Sequence, residues 1–196
     1  MANKERGGFS AMSTVDPIKD REDVRRLLDY LKSQSDRDYI LVLFGLHTGL
    51  RITDILNLKV KDVIDKDEVL IIEEKREYRN EVHISKKLKR EMNEYLRDRD
   101  PEEFIFKSRQ GYKRAISRTQ AWRIINTAAK KVGIKTRTGC HSLRKTFGYN
   151  LYQIDKDIVD VQERLGHKEL KTTKRYIGIS KEKINKKIDK LDSIYY

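Results

Sequence analysis

At 196 residues the chain suits one domain of ordinary size, and 44 Lys plus Arg against 31 Asp plus Glu leave a formal net charge of +13, a surplus that favours a polyanionic partner because each neutralised phosphate releases counterions. Cys140 is the only cysteine, which excludes an internal disulfide and suits a reducing, cytoplasmic setting. The scattered histidines give no zinc-ligand spacing, no apolar run approaches the ~18 residues of a membrane span, and the start lacks the apolar stretch of a secretory signal.

Residues 1–15 are polar and read as a flexible tail. Asp16-Pro17 is expected to open a first helix as N-cap and first helical residue, with Ile18, Leu27, Leu28 and Leu31 on its apolar face. Asp36 is expected to cap a second helix, apolar from Tyr39 to Leu46, which Gly49 stops. A short helix follows from Ile52 to Leu58. The period then changes: Val69 to Ile72 and Val82 to Ile84 flank a charged turn from Glu73 to Glu81, the pattern of a β-hairpin. Leu88, Met92 and Leu96 mark another helix. Ser117 and Gln120 form a capping box for a helix that runs to about Val132, with Gly133 as its stop. From His141 the pattern stays helical, through Leu143, Phe147 and Leu151, then Ile158, Val161 and Leu165, then a small helix around Tyr176. Ile184, Ile188 and Leu191 supply the last one. The chain is therefore expected to be mainly α with a small antiparallel β-sheet, an α+β fold.

The basic residues are unevenly placed. Between Phe104 and Ile154 there is no Asp or Glu, while twelve Lys and Arg account for +12 of the +13. A solvated face would normally mix both signs. This one-sidedness points to a bound polyanion, with Lys107, Arg109, Lys113, Arg114, Arg118, Lys130, Lys131, Arg137 and Lys145 as the side chains to meet it.

Three clusters could carry chemistry. In Thr48-Gly49-Leu50-Arg51 a glycine turn sets an arginine at a helix start. In His141-Ser142-Leu143-Arg144 the i, i+3 spacing lets an imidazole and a guanidinium converge on one anion. Leu165-Gly166-His167 is followed nine residues later by Tyr176. Singly each has an ordinary explanation: a surface arginine, a helix cap, a loop histidine, a core tyrosine. Their order on a basic chain makes a shared purpose the better one.

Together the clusters resemble the catalytic domain of the tyrosine recombinases, the phage integrase family, over about residues 17–190. The family carries an arginine in a TGLR segment, a lysine in a β-hairpin, a HxxR pair, an LGH segment and a tyrosine nine residues beyond that histidine. The resemblance implies that Arg51, His141, Arg144 and His167 act on a phosphodiester and that Tyr176 is the nucleophile. It also implies Lys75, 24 residues after Arg51, as the acid for the departing 5′ oxygen. The chemistry fits those residue types. Two guanidiniums can bind nonbridging oxygens bidentately, and a phenol with an ordinary pKa near ~10 needs help to attack. His141 and the surrounding cations could give that help. The product would be a 3′-phosphotyrosyl link, whose retained bond energy lets rejoining proceed without a cofactor.

The expected organisation is a tail at 1–15, a tyrosine recombinase catalytic domain at 16–180 and a C-terminal helix at 181–196, exchanged between protomers. Many integrases place a clamping domain ahead of the catalytic one. Its absence from this sequence implies a minimal recombinase, a partner that supplies the clamp, or a longer parent chain. The implied function is site-specific recombination of double-stranded DNA by a homo-oligomer, a tetramer on paired sites, with no small-molecule substrate. A DNA-binding regulator that has lost catalysis and a type IB topoisomerase-like enzyme are the alternatives.

Overall fold

The structure is a computed structural model that describes residues 15–73, 78–109, 114–179 and 188–195. In chain order it contains α1 (Arg21–Gln34), α2 (Asp36–Thr48), α3 (Ile52–Leu56), β1 (Glu68–Glu73), β2 (Tyr78–His83), α4 (Lys86–Leu96), α5 (Arg118–Lys131), α6 (Cys140–Asp155), α7 (Ile158–Arg164), α8 (Leu170–Tyr176) and a last short helix, Asp192–Tyr195. The mainly α architecture with a small antiparallel sheet is the one expected from the sequence. No helix among the described residues is long and apolar enough to cross a membrane.

The core is built around α2. Every residue from Tyr39 to Gly45 is buried, and the helix packs against α1, α4 and α6. Leu41 and Phe44 are fully enclosed, each contributing about 1.5–3 kcal/mol relative to exposure. Gly45 permits the closest of these approaches. A Cβ there would lie 2.8 Å from Leu143 Cδ1 of α6. Further along α6 lies a second, smaller core in which Val161, Leu165 and Ile177 are buried against Phe147 and Leu151. Thus α6 joins the main body to the α7–α8 unit, and its residues can act at the seam.

Two starts differ from the expectation. Asp16-Pro17 does not open α1. Residues 15–19 instead run extended beside α6, where Asp16 N donates to Arg137 O at 3.0 Å and Ile18 N donates to Thr146 Oγ1 at 2.8 Å. Burial of Ile18 and these distant hydrogen bonds outweigh the local cap. Asp20 caps α1 in its place, its side chain accepting from Glu22 N at 2.8 Å. Likewise Ser35, one residue earlier than Asp36, caps α2. The Ser117–Gln120 capping box forms as expected, with bonds of 2.8 and 3.1 Å.

The hairpin is longer than its apolar pattern. β1 and β2 pair in a register that sets Val69 opposite Val82 and continues to Glu73 opposite Tyr78. Most of the charged run from Glu73 to Glu81 is therefore strand, because backbone pairing continues once an apolar register is set. Val69 and Ile71 are buried while Leu70 is exposed, the alternation of a half-buried strand.

Candidate active site

Gly49 ends α2 with φ +65°, the left-handed conformation that favours glycine. A Cβ at this position would also stand 2.2 Å from the Phe147 ring. The turn it makes delivers Leu50 into the core and leaves Arg51 exposed at the N-cap of α3.

On α6 the expected pair separates. Ser142 Oγ accepts from Gly139 N at 3.1 Å and secures the helix start. One turn apart, His141 is exposed whereas Arg144 is buried at 8% exposure. The Arg144 guanidinium donates through Nη1 to Gly49 O and through Nη2 to Leu165 O, the latter at 2.6 Å. Its charge also acts on the Tyr176 phenol. One side chain thus ties together the three clusters read in the sequence. Burial pushes the Tyr176 phenol above its ordinary pKa, while the charge of Arg144, and then that of Arg51, oppose the rise.

His167 stands edge-on to Tyr176, with ring centroids 4.8 Å apart at 76°. Its Nδ1 lies 3.1 Å from Thr173 Oγ1, and that hydroxyl is 3.4 Å from Glu169 O. The chain is satisfied when Thr173 donates to Glu169 and accepts from Nδ1–H, which leaves Nε2 as the accepting nitrogen. Burial, with Arg144 and Arg51 nearby, holds His167 below its ordinary pKa. His141 is lowered too, first by desolvation and then by Arg118, Arg144, Lys145 and Arg51. Both imidazoles are therefore neutral near neutral pH.

Arg51, Arg144, His167 and Lys168 line a cleft of about 800 Å³, closed on one side by Ile71 and Asn80 of the hairpin. His141 does not line it. That side chain borders a separate pocket of about 390 Å³ with Arg118, Trp122 and Cys140. Lys75 lies outside the described residues; Ile71 of β1 and Asn80 of β2 line the cleft. Lys113 lies outside them as well. Arg109, Arg114, Arg118, Lys130, Lys131 and Arg137 are exposed. Lys107 is exposed but ion-paired to Glu103 at 2.5 Å. Lys145 turns inward, its Nζ 2.7 Å from Val15 O and 5.2 Å from the centroid of the Tyr176 ring. Among the described residues no cluster of His, Cys, Asp and Glu is arranged for a metal ion. Sequence reasoning missed Thr173; its i−3 spacing from Tyr176 on one helix was the available signal.

A helical body with a small hairpin, whose buried arginine joins a TGLR turn to an LGH loop at one cleft, with a tyrosine packed against the loop's histidine, defines a class of DNA strand transferase. The phage integrase family model matches residues 19–183, and the chain belongs to that family as a tyrosine recombinase catalytic domain. It is 43% identical over 171 residues to the probable integrase/recombinase YoeC of Bacillus subtilis (strain 168), covering 87% of this chain and 93% of YoeC. It is 30% identical over 172 residues to the tyrosine recombinase XerA of Pyrococcus furiosus, covering 86% of this chain and 59% of XerA. A crystal structure of XerA recombinase superposes with a TM-score of 0.72 at 23% identity, covering 89% of this chain and 65% of that one.

Proposed function

We propose that the protein cuts and rejoins double-stranded DNA at specific sites, as a homo-oligomer on paired sites, through a covalent bond to Tyr176. The phenolic oxygen attacks phosphorus, the bond to the 5′ oxygen breaks, and a 3′-phosphotyrosyl link and a 5′ hydroxyl result. Attack by a 5′ hydroxyl on that link restores the phosphodiester and releases the phenol, so the bond energy is conserved and no nucleotide enters the balance. Arg51 and Arg144 hold the nonbridging oxygens, where charge develops. The negative charge of a bound phosphate draws a proton onto Nε2, so that His167 adds a further donor, while His141 helps take the phenolic proton and Lys75 protonates the 5′ oxygen. The work takes place in the cytoplasm, where a lone thiol such as Cys140 stays reduced.

The observation that carries this reading is the Arg144 guanidinium, bonded at once to the two loops that bear Arg51 and His167, with the Tyr176 phenol within reach of its charge. A guanidinium has five N–H donors, and these two bonds leave others for phosphate. DNA as substrate is supported further by the solved XerH recombinase and Tn1549 integrase complexes, which contain DNA and share this fold. The test is Tyr176→Phe, which keeps the ring and its packing but removes the attacking oxygen. It is expected to bind DNA like the parent and to form no denaturant-resistant adduct on a nicked substrate. An adduct from the Phe variant would move the nucleophile elsewhere.

A further inference from the structure

The residues that flank the nucleophile are held by a part of the chain far away in sequence. Residues 15–19 lie along α6 and are tied to it at two points, and once more to the loop that precedes it. Asp16 N donates to Arg137 O at 3.0 Å, Ile18 N donates to Thr146 Oγ1 at 2.8 Å, and Lys145 Nζ donates to Val15 O at 2.7 Å. At the other end of the segment Lys19 Nζ donates to Gly178 O at 3.1 Å, two residues beyond Tyr176. Gly178 has φ +71°, so the chain turns sharply there and the bond fixes the exit of α8.

Lys145 completes the bracket. Its ammonium sits 5.2 Å from the Tyr176 ring centroid, inside the range of a cation–π contact. His167 meets the same ring edge-on at 4.8 Å, and the charge of Arg144 acts on its phenol. A cation on the ring does not replace a donor on the oxygen. It sets where the ring stands, and hence the direction from which the oxygen attacks. Lys145 is half-buried rather than exposed, which strengthens such a contact and removes the side chain from the row of phosphate-facing cations in the basic stretch.

We propose that Lys145 is a positioning residue for the strand-cleavage reaction, orienting the Tyr176 ring and coupling its placement to the Val15–Lys19 segment. This rests on the reading of Tyr176 as the nucleophile. The role is distinct from DNA contact: the side chain acts through Tyr176 and not on the phosphate.

Three substitutions separate the contributions. Lys145→Met keeps the apolar stem and loses both contacts. Lys145→Gln keeps a donor for the Val15 carbonyl but puts no charge on the ring, and Lys145→Arg keeps both. The measurement is single-turnover adduct formation on a nicked duplex, with DNA affinity and melting temperature followed alongside. Met and Gln are expected to slow adduct formation about 5- to 30-fold, with affinity unchanged, and Arg to restore most of the rate. A second arm bypasses the tyrosine. In Tyr176→Phe protein, hydrogen peroxide attacks phosphorus, the bond to the 5′ oxygen breaks, and that oxygen leaves as a hydroxyl. Adding Lys145→Met to Tyr176→Phe is expected to leave the peroxide rate unchanged, because there is no phenol left to position. A slowed peroxide reaction would make Lys145 a group that acts on DNA and overturn the inference. So would parent-like adduct formation by Gln, or by Met where Met folds. If the parent protein itself forms no adduct, the cleavage reading fails and this inference fails with it.

Discussion

Arg144 shows how burial changes the meaning of a residue. A guanidinium at 8% exposure must have its donors matched, because an unpaired buried charge is costly. Its partners are backbone carbonyls of the two loops, so it builds the cleft as well as charging it. The i, i+3 spacing of His141 and Arg144 was legible in the sequence. Their divergence, one exposed and one buried, was not, since it depends on which loops close over α6. Lys75 is expected to have a narrower role, and a substrate can isolate it. A 5′-bridging sulfur departs without needing a proton, whereas oxygen does not. Lys75→Ala is expected to slow cleavage of ordinary DNA by on the order of 10²–10³ and to be nearly restored on the sulfur substrate. Arg144→Ala is expected to remain defective on both, since its task is the nonbridging oxygens. Equal defects of Lys75→Ala on both substrates would move the acid to another side chain.

Among the elements, α5 carries the basic stretch into space. Arg118 opens the helix and Lys130 and Lys131 close it, so the charges at its ends are separated by about 18 Å at ~1.5 Å per residue. That length can follow several phosphates along a duplex. Binding is then expected to weaken with salt at a log–log slope of about −0.9 per phosphate contacted. Neutralising Lys130 and Lys131 together, as glutamines, is expected to flatten the slope by up to roughly 2 and to weaken all DNA sequences alike. A filter-binding salt series that gave the parent slope would return these lysines to the solvated surface. The capping box of α5 was plain from Ser117 and Gln120, both local to the helix start. The start of α1 was not, because Ile18 finds its place against α6, more than a hundred residues away in sequence. The hairpin fell between the two cases: Val69 and Val82 revealed the pairing, but polar side chains carry no signal of where backbone pairing stops.

At the scale of the whole molecule, α6 divides two cores of unequal size, and the nucleophile belongs to the smaller one. Val161, Leu165 and Ile177 hold α7 and α8 together, so the setting of Tyr176 can respond to whatever binds beyond them. The C-terminal stripe read from Ile184, Ile188 and Leu191 bears on this, although Ile184 lies outside the described residues. Ile188, Leu191 and Ile194 are 56%, 38% and 72% exposed, an apolar set of side chains left largely in water, the mark of a surface that meets another. We propose that residues 181–196 dock on a neighbouring protomer. A cyclic exchange of this kind would link each Tyr176 to occupancy of the next subunit and restrain cutting until paired sites are assembled. Removing residues 181–196 is then expected to leave binding to a single site within about twofold, far below one hot-spot contact, while higher-order complexes on DNA disappear. Gel mobility on single and paired sites, with sedimentation of the free protein, reads both outcomes. A truncated protein that assembles like the parent, or one that unfolds as a monomer, would show that this segment serves its own chain.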